Sequence, residues 1–118
     1  STPLYSSAAS DVYKRQGEIP STKVYEDDTV VAFNDLDPQA PVHVLIIPKE
    51  HIASAAEINE SNSAVVAHIF EVAAKIAAEK GLKDGFRIVN NCGDSAGQSV
   101  KHLHFHLMGG RDFGWPAG

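Results

Sequence analysis

In His102-Leu103-His104-Phe105-His106-Leu107-Met108, polar and apolar residues alternate through Leu107. Side chains along a β-strand point to alternate faces, so this stretch predicts a strand over 102–108 with His102, His104 and His106 on one side. Leu103, Phe105 and Leu107 then fall on the other side, where a core would take them. Three of the chain's six histidines stand within this run. A core in need of filling would not choose imidazole three times, because each buried ring nitrogen needs a partner.

The core partner of that strand is legible upstream. Val65, Ile69, Val72 and Ile76 recur at i, i+4, i+7 and i+11, one apolar stripe of a helix. Glu71, Lys75 and Glu79 occupy another face at i+4 spacing, which supports it further. Ser61 or Ser63 is placed to cap its start and Gly81 to close its end. Val42-His43-Val44-Leu45-Ile46-Ile47 reads as a strand buried on both faces and stopped by Pro48. Val24-Tyr25-Glu26 and Thr29-Val30-Val31-Ala32-Phe33 form a hairpin around Asp27-Asp28. Phe86-Arg87-Ile88-Val89-Asn90 is a further strand. The Pro-rich segment 34–41 and Gly93-Asp94-Ser95-Ala96-Gly97 are loops. Strands around one long helix make an α+β domain with a mainly antiparallel sheet.

Residues 1–16 read differently. Small residues dominate and no apolar period is sustained. The pair Lys14-Arg15 follows the small residues, the wrong order for a signal peptide. The expected organisation is an N-terminal arm over 1–16, foreign or disordered, and one domain over 17–118. The 118 residues suit a single domain with its own core. Cys92 is the one cysteine, so no intrachain disulfide forms, which fits a reducing compartment and a cytoplasmic or nuclear location. No window is apolar enough to cross a membrane. The net charge of −5 without a Lys/Arg cluster opposes binding to nucleic-acid polymers but permits a small anionic ligand.

Three readings of the histidine run compete. A metal site is one. His102 and His106 lie roughly 13 Å apart along a strand, too far to share one ion bound at about 2 Å, although His102 and His104 with His43 or His51 could chelate. Hydrogen-bonded structural histidines are the second. Nucleophilic catalysis is the third: a neutral imidazole can attack phosphorus, splitting one displacement into two easier ones. Flanking rings that donate N–H can then hold the phosphoryl oxygens. The adjacent Gly-rich loop favours a ligand.

Gly97-Gln98-Ser99-Val100-Lys101-His102-Leu103-His104-Phe105-His106-Leu107 resembles the motif of the histidine triad superfamily, and most closely its Hint branch of nucleotide-binding proteins. Asp35-Leu36-Asp37-Pro38-Gln39-Ala40-Pro41-Val42-His43, Ile47-Pro48-Lys49-Glu50-His51-Ile52, Val89-Asn90-Asn91 and Gly109-Gly110-Arg111…Trp115-Pro116 extend the likeness in the right order over 17–118. The resemblance implies a sheet of about five antiparallel strands with one long and one short helix. It also implies a twofold homodimer whose sheets join, with Phe113 and Trp115 reaching toward the neighbour. The implied activity is that of a purine nucleoside phosphoramidase, which releases an amine and AMP or GMP without metal or cofactor. A nucleotide-binding regulatory or scaffold protein with negligible turnover is the alternative.

Carried over by motif, His104 resembles the nucleophile and His106 the residue that steadies the phosphate. His102 and His43 would orient and polarise His104 from behind. Ser99 would bond the phosphate or assist the leaving amine. Gly97, Gln98, Ser99 and Asn91 would supply further phosphate donors. Asp35 would accept the ribose hydroxyls, and Leu36 and Phe33 would line the base and sugar pocket. His51 and His68 are expected in structural or surface roles. The sequence departs from the family before Gly17-Glu18-Ile19-Pro20: a short helix with a Phe-Cys-x-Ile-type stretch is expected there, and residues 1–16 do not match it. Base contacts on that side are therefore expected to be weak.

Overall fold

The computed structural model describes residues 23–118. The expected arm over 1–16 and the leading short helix lie outside these residues. Five antiparallel strands form one sheet: β1 (Lys23–Glu26), β2 (Val30–Asn34), β3 (Val42–Pro48), β4 (Phe86–Val89) and β5 (Phe105–Gly109). Their spatial order is β1-β2-β3-β5-β4. Among the described residues one long helix, α1 (Ser63–Glu79), connects β3 to β4, and two 3-10 turns of three residues each sit at Ala55–Glu57 and Asp94–Ala96.

The period-2 and period-3.6 patterns meet in the core. Ile69, Val72 and Ile76 of α1 pack with Val44 and Ile46 of β3 and with Leu103, Phe105 and Leu107. The edge of the Phe70 ring meets Phe105 with 5.8 Å between centroids. Alternate residues of β2 and β3 point the other way: Val31, Phe33, Leu45 and Ile47 form a second apolar cluster on the opposite face, with Val100 against it. The continuous apolar run of β3 is thus buried on both faces, as its composition predicts.

Local chemistry sets the element ends. In the β1–β2 hairpin the Asp27 carboxylate accepts the amide N–H of Thr29 and of Val30, so an Asp occupies the turn position that needs an acceptor. The helix begins at Asn62 rather than at a serine: Asn62 is the N-cap residue and its side chain makes no capping bond. Its Oδ1 instead accepts from the Asn59 amide, closing the turn before the helix. At the other end Gly81 takes a positive φ of 72°. The Leu82 amide then reaches back to Ala77 and the Gly81 amide to Ala78, which satisfies the last carbonyls.

One expectation fails in register. The predicted strand over 102–108 begins at Phe105; His102, Leu103 and His104 precede it. The Leu103 amide donates to the Ile52 carbonyl, so this segment is held by the chain that follows β3 and not by the ladder. The apolar side survives the change, with Leu103 and Leu107 both fully buried. The three histidines do not share one environment, as the site shows.

Candidate active site

The sheet face opposite α1 carries the chemistry. Register places Leu45 opposite His106, and His43 two residues before Leu45 on the same strand. Side-chain alternation therefore puts His43, Leu45 and His106 on one face. The 35–41 loop ahead of β3 and the loop around Gly97 rise beside them. Together they enclose a cavity of about 550 Å³ that His104, His106 and His43 line. Asp35, Leu36, Asn91, Gly97 and Ser99 also line it. Gly93 and Gly97 have φ of 87° and 86°, which lets the chain turn tightly between β4 and the histidines.

Hydrogen bonds fix which ring nitrogen carries each proton. His104 Nδ1 lies 2.7 Å from the His102 carbonyl oxygen. A carbonyl only accepts, so Nδ1 is the protonated nitrogen and Nε2 keeps its lone pair. The Asn90 side chain donates to the His104 carbonyl at 2.9 Å and steadies the same residue from β4's end. His104 is 8% exposed, yet it lines the cavity.

His106 has the opposite polarity. The Gln39 backbone N–H donates to His43 Nδ1 at 3.0 Å. His43 must then carry its proton on Nε2, which lies 2.9 Å from His106 Nδ1. His106 Nδ1 accepts, so its proton sits on Nε2. The cavity thus receives a lone pair from His104 beside an N–H donor from His106, the two rings meeting edge-on with centroids 5.4 Å apart. Asp35 backs this arrangement: Oδ2 lies 3.4 Å from His43 Nε2, while Oδ1 accepts the Asp37 amide and closes the loop.

Burial disfavours the charged forms of His106 and His43. It pushes His106 down to about 4, with further repulsion from His104 and His43 and an opposing pull from Asp35. His43 is lowered by burial as well, against the attraction of Asp35 and Asp37. An uncharged His106 ring that accepts on Nδ1 can donate from Nε2 into the cavity.

Several expected site residues stand elsewhere. The His102 ring is fully buried and takes no part in the cavity wall: Nε2 donates to the Pro48 carbonyl at 2.8 Å. Its Nδ1 then accepts from His51 Nδ1 at 3.2 Å, the rings stacked at 18°. His102 touches His104 through its backbone carbonyl, not its imidazole. His43 bonds His106, not His104. Phe33 is fully buried in the layer with Leu45, beneath the cavity and not lining it. Gln98 is consumed by the loop: its side chain accepts from the Gly93 amide and donates to the Ala53 and Val100 carbonyls. The Gly97 and Gln98 amides are spent on Asp94 and Gly93, so neither is a phosphate donor. Ser99 keeps both its amide and its hydroxyl without a partner among the described residues.

Sequence reasoning missed Gln39 and Asn90, whose bonds decide proton positions and ring placement. It also missed Leu45 and Val100 as cavity floor. Leu45 was recoverable, because it lies two residues from His43 on one strand. The Gln39 amide was not, since no side-chain type announces it.

Residues 16–113 match the model of the HIT domain. The chain belongs to the HIT domain family. A 14 kDa zinc-binding protein of Zea mays is 48% identical over 103 residues, covering 86% of this chain and 80% of that protein. The crystal structure of a HIT family hydrolase from Legionella pneumophila superposes with a TM-score of 0.82 at 49% identity, covering 87% of this chain and 93% of the other. A histidine triad nucleotide-binding protein from Candida albicans superposes at 0.69 with 35% identity, covering 89% and 80%.

Proposed function

We propose that this chain is a purine nucleoside phosphoramidate hydrolase of the Hint type. His104 Nε2 attacks the α-phosphorus of a nucleoside 5′-phosphoramidate. The P–N bond breaks, the amine leaves with a proton from Ser99 or solvent, and the nucleotidyl group rests on His104. Water then attacks phosphorus, breaking the P–Nε2 bond and releasing AMP or GMP. The His106 Nε2–H and the Ser99 amide hold the phosphoryl oxygens as charge develops. Asp35, with Leu36 beside it on the cavity wall, takes the ribose hydroxyls. The observation that carries the reading is the 2.7 Å contact between His104 Nδ1 and the His102 carbonyl, which leaves a lone pair facing the cavity. The hydrolase and nucleotide-binding names of similar folds support it.

Incubation with an adenosine 5′-phosphoramidate should release AMP, and mass spectrometry of quenched enzyme should find the nucleotidyl group on His104. Tight AMP binding without amine release would instead select the nucleotide-binding regulatory role. Asp35, His43 and His106 also bring three ligand atoms within 4.8 Å, and the maize relative is named for zinc. Zinc there would have to displace the proton that His43 and His106 share. Stoichiometric zinc by elemental analysis, lost in His106→Ala, would establish that reading.

We also propose a homodimer joined along β4. This strand ends the sheet, and Phe86 on it is 43% exposed while Trp115 in the tail is 86% exposed. Large exposed aromatics beside an open edge suit a second copy. A monomeric mass by sedimentation at micromolar concentration would exclude it.

A further inference from the structure

The bond that decides His43's tautomer comes from a backbone amide in a loop, and that loop is itself held from outside the site. Gln39 donates its N–H to His43 Nδ1, and its carbonyl accepts from Arg111 Nε at 2.9 Å. Arg111 lies on the tail just after β5, seventy-two positions away in sequence. Its guanidinium is fixed in turn. Nη1 donates to the Asp112 carbonyl, and Cζ lies 4.2 Å from the Phe113 ring centroid. Tail and loop also abut directly: a Cβ at Gly110, where φ is +91°, would stand 2.9 Å from Pro41 Cβ.

We propose that Arg111 is a positioning residue that selects the tautomer His106 presents to the cavity. The series runs Arg111 N–H to Gln39 C=O, Gln39 N–H to His43 Nδ1, and His43 Nε2–H to His106 Nδ1. It ends with His106 Nε2–H in the cavity. Every link is a directed donor–acceptor pair, so reversing one reverses those after it. If the Gln39 amide swings away, His43 is free to protonate on Nδ1. Its Nε2 then accepts from His106 Nδ1–H, and His106 Nε2 turns from donor to lone pair. No proton is gained or lost; one moves across each ring. Asp35 Oδ2, at 3.4 Å from His43 Nε2, favours the original state more weakly. Loss of Arg111 therefore produces a mixture and not a complete reversal. The catalytic consequence rests on the phosphoramidate reading: with two lone pairs facing it, the phosphoryl group loses a donor and meets repulsion.

The test reads the tautomers directly. Long-range ¹H–¹⁵N correlation spectra of the imidazoles, taken on the full chain above neutral pH, distinguish Nδ1–H from Nε2–H rings. In the unaltered protein His43 and His106 should both be Nε2–H. In Arg111→Ala both should become mixtures, while His104 stays Nδ1–H, since its bond runs to His102. Arg111→Lys, which can still donate to the Gln39 carbonyl, should restore the original pattern. Arg87→Met is the control for a merely loosened tail. Arg87 lies 5.0 Å from the same Phe113 ring and bonds the Gly114 carbonyl but does not touch Gln39. Unchanged rings in Arg111→Ala overturn the proposal, and so do equal changes in Arg87→Met. If the phosphoramidase reading holds, kcat in Arg111→Ala should fall roughly tenfold. Absence of any turnover in the unaltered protein would reject that reading while the spectra still decide the role of Arg111.

Discussion

Two polar clusters, one around His68 and one around His43 and His106, sit on opposite faces of the same sheet, and their chemistry is opposite too. On the helix side, His68 of α1 bonds Asp27 of the β1–β2 hairpin through Nε2 at 2.6 Å and Glu71 through Nδ1 at 3.3 Å. Asp27 raises the pKa of His68. Although burial pushes the Asp27 carboxyl up, bonds from His68, Tyr25, Thr29 and Val30 hold it well below the usual carboxylate range. This is a charged clasp between helix and hairpin, half open to water. On the cavity side, His43 and His106 face each other and are pushed down by burial. The same side chain is a cation where a carboxylate meets it directly and a neutral base where rings are buried together. Partners and solvent access decide, not residue type.

The largest expected difference between the clusters is in turnover. On the proposed phosphoramidase reading, which makes His104 the nucleophile, His104→Ala should lower kcat by at least about 10³-fold. His68→Ala should leave kcat unchanged at a temperature where it is folded. Equal losses in the two variants would erase the distinction. Next in size is His106→Phe, which keeps the volume and removes the donor. A fall in kcat of about 10²–10³-fold is expected, with the fold intact by circular dichroism.

Stability should reverse the ranking. Asp27→Ala removes the carboxylate that closes the hairpin turn and clasps the helix, and should cost about 1–3 kcal/mol by urea denaturation. Single and double changes at Asp27 and His68 should show coupling, whereas Asp27 with His104 should be additive.

Acid separates the clusters with a smaller effect. His106 has its folded pKa near 4 against an ordinary 6.5. Between those values the unfolded chain binds a proton that the folded chain refuses, so stability falls as pH drops through that window. The drop should be about 1–3 kcal/mol, and His106→Phe should reduce it. The clasp behaves otherwise. His68 is raised, so its contribution is complete below its ordinary 6.5 and is lost only as pH rises through the folded value. Asp27 is lowered, so its contribution is complete above its ordinary 3.8 and is lost only as pH falls through the folded value. Acidification across the window in which His106 resists its proton therefore leaves the clasp in place. A pH profile of stability flat across that window in the unaltered protein would contradict the cavity assignment. The smallest effect concerns the N-terminus: replacing residues 1–16 by a family-like helix should tighten AMP binding by isothermal titration, and no change would reject a role for that segment at the base.

Strand and helix assignments were readable because each rests on a local period. Val42–Ile47 and the Ile69-Val72-Ile76 stripe carry their own burial pattern. That His104 and His106 would line a common cavity was readable for the same reason, the two being two apart beside a Gly loop. His102 misled, since the alternation extends through it while the ladder begins only at Phe105. Phe33 and Gln98 misled because the family motif marks a neighbourhood, and the structure spends both side chains on packing and loop bonds.

By itself, the amino-acid order determined the α+β class, the long helix, the doubly buried strand and the concentration of imidazoles next to a glycine loop. All of these follow from spacing along the chain. Only the tertiary structure decided which ring nitrogen holds a proton. Those choices are made by the Pro48, Gln39 and His102 main-chain groups, and a backbone amide or carbonyl is the same whatever residue bears it. Its partner can be named only once the fold has brought the two within 3 Å.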